Sequence, residues 1–139
     1  MNANELRIGN YVYFPFTKEV VKILGINAHE INGKIENSIS FMNGLNLYCE
    51  KIEKLKAIDL TDEWLLKLGF LKYKGDNKDF WLNDFEFAND LKWIFWKGNM
   101  LENIKYVHQL QDLYFCLTAK ELELCNRPTT RNEFNKKQD

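Results

Sequence analysis

The sequence predicts an α+β fold in which a small β-barrel or curled sheet precedes a helix, an antiparallel meander and a long packing helix. Three observations predict it. Short β-branched and aromatic runs separated by Asn-Gly pairs fill residues 1–58. Aromatic-rich runs broken by turn residues fill 70–97. From Ile104 to Leu117, apolar side chains (Val107, Leu110, Leu113, Tyr114, Leu117) recur at three- and four-residue spacing and draw one stripe along a helix.

The first runs, YVYFPF (Tyr11 to Phe16) and VVKILGI (Val20 to Ile26), suit a pleated, half-buried surface. Pro15 lacks the amide that a central ladder needs, so its strand is expected at an edge or bent there. Ile31-Asn32-Gly33-Lys34 has the composition of a type I′ hairpin turn, and Met42-Asn43-Gly44-Leu45 repeats the signal. The opening LRIGNYV resembles the entry of an SH3-like barrel, where a glycine lets the first strand turn in.

LTDEWLLKLG (Leu60 to Gly69) reads as a short helix with Thr61 as its cap. Asp62 and Glu63 lie at its positive end, and Trp64, Leu65 and Leu68 form its buried face. A meander follows, with turns expected at Gly75-Asp76-Asn77 and Ala88-Asn89-Asp90. In its last run Leu91, Trp93 and Phe95 alternate with Lys92, Ile94 and Trp96. One face should meet the long helix and the other should carry an exposed tryptophan. Thr118 and Glu121 form a T-x-x-E capping box that announces a second helical segment. The polar stretch from Asn126 reads as a flexible tail. The expected organisation is an SH3-like β-rich subdomain (1–58), an α+β subdomain (59–125) and the tail (126–139).

The 139 residues suffice for one domain or two very small ones without a covalent staple. Nineteen Lys and Arg against twenty Asp and Glu leave a net charge of −1, with no bulk attraction to nucleic acid or anionic membrane. Residues 59–103 carry six positive and nine negative side chains, so the middle is mildly acidic. No apolar run approaches the roughly eighteen residues of a spanning helix, and the start has no signal-peptide pattern. Cys49, Cys116 and Cys125 are odd in number and widely spaced. These features point to a cytoplasmic protein with three free thiols, read as small buried hydrophobes, and no metal or other cofactor.

Several sets of residues are candidates for function. His108 and Asp112 share a helix face, with Gln111 beside them, but two ligands at i and i+4 do not complete a metal site. They read better as a hydrogen-bonded polar face or a partner contact. Asp90-Leu91-Lys92, with Asp79 or Asp84 upstream, has the letters of a D…D-x-K nuclease, in which two carboxylates hold Mg²⁺ and a lysine stabilises charge. Asp90 equally suits a turn. The rings of Phe80, Trp81, Phe85, Phe87, Trp93, Phe95 and Trp96 could stack bases, yet acidic residues are interleaved where a basic groove is wanted. Core packing claims most of them, and the outward ones suit partner anchors. Lys51, Lys54 and Lys56 are the candidate phosphate contacts of the small barrel, or simply a solvated strand edge.

NELRIGNYV, LTDEWLLKLGF and KYVHQLQDLYFCLTAKELEL, in this order and spacing, resemble a family of small uncharacterised proteins of Bacteroidota chromosomes and phages. The resemblance covers most of the chain. It implies a prophage or mobile-element context and an accessory role, and it brings no catalytic residues. The function expected is therefore a non-enzymatic protein that binds and modulates a host protein or ribonucleoprotein. Inhibition of an antiviral (CRISPR-type) defence nuclease complex is its most concrete form. Trp81, Trp93, Trp96, His108, Gln111 and Asp112 are the candidate contacts, with Trp96 the first choice of anchor. The alternatives are a nucleic-acid-binding module using Lys51, Lys54 and Lys56, and a metal-dependent nuclease.

Overall fold

A computed structural model describes residues 1–73, 79–88, 90–101 and 103–125. The fold is mixed α+β, with two antiparallel sheets and few helices. Its chain contacts form two compact units. Met1–Asp59 and Tyr106–Glu121 make the first; Leu60–Lys105 and the segment from Leu122 make the second.

The first unit is built on β1 (Tyr11–Phe14), β2 (Glu19–Ile31), β3 (Lys34–Asn43) and β4 (Asn46–Lys51), hydrogen-bonded in that order. β1 stops immediately before Pro15, where the amide for a further ladder bond is missing. Ile31 faces Lys34 across a two-residue turn with Asn32 at φ 51° and Gly33 at φ 78°. Positive φ at both central positions is what an Asn-Gly hairpin supplies. A second tight hairpin at Gly44-Leu45 joins β3 to β4, with Asn43 facing Asn46. The sheet does not close into a barrel among the described residues. It curls only as far as one bridge, in which Lys56 exchanges backbone hydrogen bonds of 2.8 and 2.9 Å with Tyr13 on the free side of β1. The inner face packs Leu6, Val12, Phe14, Val21, Ile23, Ile39, Phe41 and Leu55. Phe14 meets Phe41 edge-on, with centroids 5.2 Å apart.

α2 is reserved for the long helix, Val107–Thr118, which belongs to this first unit and packs beside β1. The sequence pattern groups it with residues 59–125, whereas its chain contacts group it with Met1–Asp59. The reason for the difference lies in its buried stripe of Val107, His108, Leu110, Gln111 and Tyr114, in which Gln111 bonds backbone groups at the entry to β1. Val107 and Leu110 are buried as the periodicity predicts, whereas Leu117 is only half-buried. The helix starts at Val107 because Tyr106 is still extended and bridges Asp59. Gln109, in the first turn, accepts a hydrogen bond from the Tyr106 amide at 3.1 Å. The predicted second helical segment after Thr118 does not form. Ala119 turns left-handed at φ 58°, and the Thr118 hydroxyl donates back to the Tyr114 carbonyl at 2.7 Å and accepts from the Lys120 amide at 3.1 Å. Glu121 is drawn to Arg7, so the capping box is not made.

The second unit opens with α1 (Asp62–Lys67), where the Thr61 hydroxyl accepts from the Trp64 amide at 3.3 Å. Trp64, Leu65 and Leu68 are buried, as the sequence predicts. The meander runs β5 (Leu71–Lys72), β6 (Phe80–Leu82), β7 (Phe85–Ala88), β8 (Trp93–Trp96) and β9 (Asn99–Met100), paired in sequence order. Phe80, Phe85, Phe87 and Ile94 point to its buried face, and Phe70 meets Phe87 edge-on at 5.6 Å. The expected turn at Gly75-Asp76-Asn77, residue Asn89 of the next turn and the tail from Asn126 lie outside the described residues.

Candidate functional site

Strand pairing sorts the meander's side chains into two faces, because residues directly opposite one another point the same way. Phe80, Phe87 and Ile94 form one cross-strand row, and Phe85 with Trp96 another, both on the core face. The opposite face carries the row Leu71, Trp81, Glu86, Phe95 and Met100, in which Leu71 is buried and the next three are half-buried, with Trp93 opposite Ala88. The alternation holds only over Trp93–Trp96, because Leu91, at φ 66°, and Lys92 lie in the preceding turn, and it turns Trp93 outward rather than Trp96. Trp96 is half-buried against Phe85, with ring centroids 6.4 Å apart, and Lys97 lies 4.8 Å from its ring. Trp93 is 44% exposed and Met100 58%. The burial of Ile94 decided between the two faces. In the sequence, a single isoleucine could not outvote three aromatic neighbours.

Trp81 sits on this outward face half-buried, with its indole Nε1 buried and without a partner among the described residues. Tyr73 lies against it at 6.2 Å. Burial, then the carboxylates of Glu86 and Asp79, push the Tyr73 hydroxyl above its ordinary pKa of 10.0. Among the described residues no cation pairs with Glu86.

The helix candidates lie in the first unit and are engaged internally. Gln111 is fully buried; its Oε1 accepts from the Tyr11 amide at 2.9 Å and its Nε2 donates to the Gly9 carbonyl at 3.0 Å. Gly9 needs to be glycine here: φ is 100°, and an added Cβ would meet the Glu121 carboxylate at 3.4 Å. Asp112 Oδ1 accepts from Arg7 Nε at 3.1 Å and from Asn10 Nδ2 at 2.9 Å. Arg7 also donates to Glu121 Oε1 at 2.7 Å and lies 4.3 Å over the Phe115 ring. These contacts fasten the N-terminal segment to α2. Nothing local in the sequence announces Arg7 and Glu121 as partners, because they lie 114 residues apart.

His108 is 1% exposed, stacks on Tyr106 at 5.7 Å and 9°, and among the described residues has no hydrogen-bond partner for either ring nitrogen. Its Nε2 lies 3.7 Å from Glu5 Oε2, beyond hydrogen-bonding distance. Burial lowers its pKa from 6.5, against the opposing pull of Asp112 and Glu5. The ring lines a cleft of about 590 Å³ with Glu5, Lys56, Asp59, Tyr106 and Gln109.

The remaining candidates are scattered. Lys51 pairs with Glu36 at 3.4 Å and Lys54 with Glu50 at 3.7 Å, so two of the three lysines offered to phosphate already have carboxylate partners. Lys56 is exposed and spends its backbone on Tyr13. Asp84 and Asp90 sit in the turns at opposite ends of β7, about 13 Å of strand apart, too far to share one ion. Asp90 has φ 58°, the left-handed turn geometry that Asp tolerates. Among the described residues no group of three or more His, Cys, Asp and Glu is placed to hold a metal. Cys49 and Cys116 are exposed rather than buried, and Cys125 is half-buried; all three are free. Cys49 falls on the solvent side of edge strand β4 and Cys116 on that of α2. Among the described residues no helix is long and apolar enough to cross a membrane.

No protein-family model matches the chain, and neither the curated proteins nor the solved structures compared with it include a match.

Proposed function

We propose that this chain is a non-enzymatic binding protein whose second unit docks on a protein partner through the outward face of the meander. The observation that carries the reading is the pair of exposed side chains Trp93 and Met100, which with the half-buried Trp81 and Phe95 lie on the sheet face opposite the packed row of Phe80, Phe87 and Ile94. Exposed tryptophans on a rigid strand are efficient anchors, because they bury large area at little cost in rotamer freedom. Trp93 is the leading anchor, because it is exposed where Trp96 is half-buried against Phe85. Trp81 keeps its place on the surface, while the internal bonds of Gln111 and Asp112 favour a structural role for the helix face.

The resemblance to Bacteroidota chromosomal and phage proteins directs the search for a partner to a bacterial host protein, an antiviral nuclease complex being the most concrete candidate. The experiment is affinity capture from a Bacteroidota host lysate with the full chain and its Trp93→Ala variant, then calorimetry with the protein recovered. Trp93→Ala is expected to weaken binding at least about tenfold, roughly 1.4 kcal/mol, without altering the melting temperature. Unchanged affinity removes this face from the interface.

A further inference from the structure

We propose that Glu86, set between the rings of Trp81 and Phe95, is the receptor for an arginine side chain presented by the protein partner. This rests on the docking face described above and names the chemistry it selects. Trp81 faces Glu86 and Glu86 faces Phe95 across adjacent strand pairs. Side chains in such a row stand about 5 Å apart at Cβ, so a group hydrogen-bonded to the carboxylate lies over a ring on either side.

A carboxylate flanked by flat π-faces matches a guanidinium better than any other side-chain cation. The guanidinium donates two parallel N–H bonds to one carboxylate while its plane stacks on a ring. Tyr73 adds a third ring, its centroid 6.2 Å from that of Trp81. Charge favours a cation as well. Asp79 lies beside Tyr73 on the same side, so two carboxylates act on this corner of the sheet. Among the described residues, Lys72 pairs with Phe80 on the core-face parity, and Lys97 lies over Trp96. A neutral apolar partner would leave Glu86 desolvated without a counter-charge, which disfavours it.

The test is a titration of the isotope-labelled full chain, following the indole N–H signals of its four tryptophans by NMR. The probes are N-acetyl-arginine amide, its neutral isostere N-acetyl-citrulline amide, and N-acetyl-lysine amide. The arginine probe should shift the Trp81 signal saturably and leave the buried Trp64 signal in place. It should bind at least about fivefold more tightly than the citrulline probe, a preference that Glu86→Gln abolishes. Glu86→Gln keeps the side chain's shape, and Trp81→Phe keeps a ring; both should leave the melting temperature unchanged. Equal binding of arginine and citrulline, an unaffected Glu86→Gln variant, or no saturable shift at Trp81 overturns the proposal. Lysine binding as tightly as arginine overturns the assignment to guanidinium. A partner lost by Trp93→Ala but indifferent to Glu86→Gln keeps the docking face and removes the arginine site. Arginine binding at Trp81 with a partner indifferent to Trp93→Ala does the reverse.

Discussion

The side-chain amide of Gln111 stands in for a neighbouring strand to Gly9 and Tyr11, accepting from one backbone amide at 2.9 Å and donating to the other residue's carbonyl at 3.0 Å. With Gln111 fully buried, no solvent can replace either bond. Gln111→Ala should therefore destabilise the protein by about 2–4 kcal/mol, the cost of leaving two backbone groups unpaired. Urea unfolding checks this; a loss below about 0.5 kcal/mol would show that the backbone finds other partners.

Acid should weaken the protein in two steps. His108 has its pKa lowered in the folded state, so the unfolded chain takes up the proton first and stability declines as pH falls below about 6.5. Glu121 has its pKa lowered by the Arg7 hydrogen bond, so its contribution is present above about 4.5 and is lost as pH falls through the folded-state value. His108→Phe should remove the upper step and Glu121→Gln the lower one in melting curves recorded from pH 7.5 to pH 3.5. An upper step that survives His108→Phe assigns it to another group.

Leu110→Ala should cost about 2–5 kcal/mol through the cavity it opens, and Leu117→Ala distinctly less, because only the first side chain is fully enclosed. Equal losses in thermal or urea unfolding would mean that Leu117 packs as deeply as the helical stripe implied.

Native thiol labelling should modify Cys49 and Cys116 ahead of Cys125, following their exposure. Intact-mass spectrometry over a time course reads the order. Cys125 reacting first would contradict its half-buried placement.

The sequence disclosed the elements whose signal is local. Asn32-Gly33 made its turn, Thr61 capped its helix, and the Val107–Leu110 stripe was buried. It failed where long-range partners decided. Glu121 looked like a cap for the next turn, but Arg7 held it through two hydrogen bonds from the other end of the chain. The Trp93/Trp96 alternation fixed that the two point apart, but not which faced the core; that depended on Phe85 and Phe87 across the sheet. Gln111 looked like a surface contact because a polar side chain on an amphipathic helix usually is one, and nothing local announced two backbone partners a hundred residues away.

The first unit is assembled from two separated stretches of chain, and the ends of the intervening segment lie side by side. Asp59 bridges Tyr106, the Val107 amide donates to the Ile58 carbonyl at 2.9 Å, and the Leu60 amide donates to the Lys105 carbonyl at 2.9 Å. During synthesis on the ribosome the consequence is a fixed order of completion. The hairpins of the first sheet can pair as soon as they emerge, but Gly9, Asn10 and Tyr11 must wait for Gln111 and Asp112. The meander comes out whole in the meantime. The nascent chain thus carries an unfinished first sheet, with its polar lead-in unsatisfied, until α2 arrives to close it.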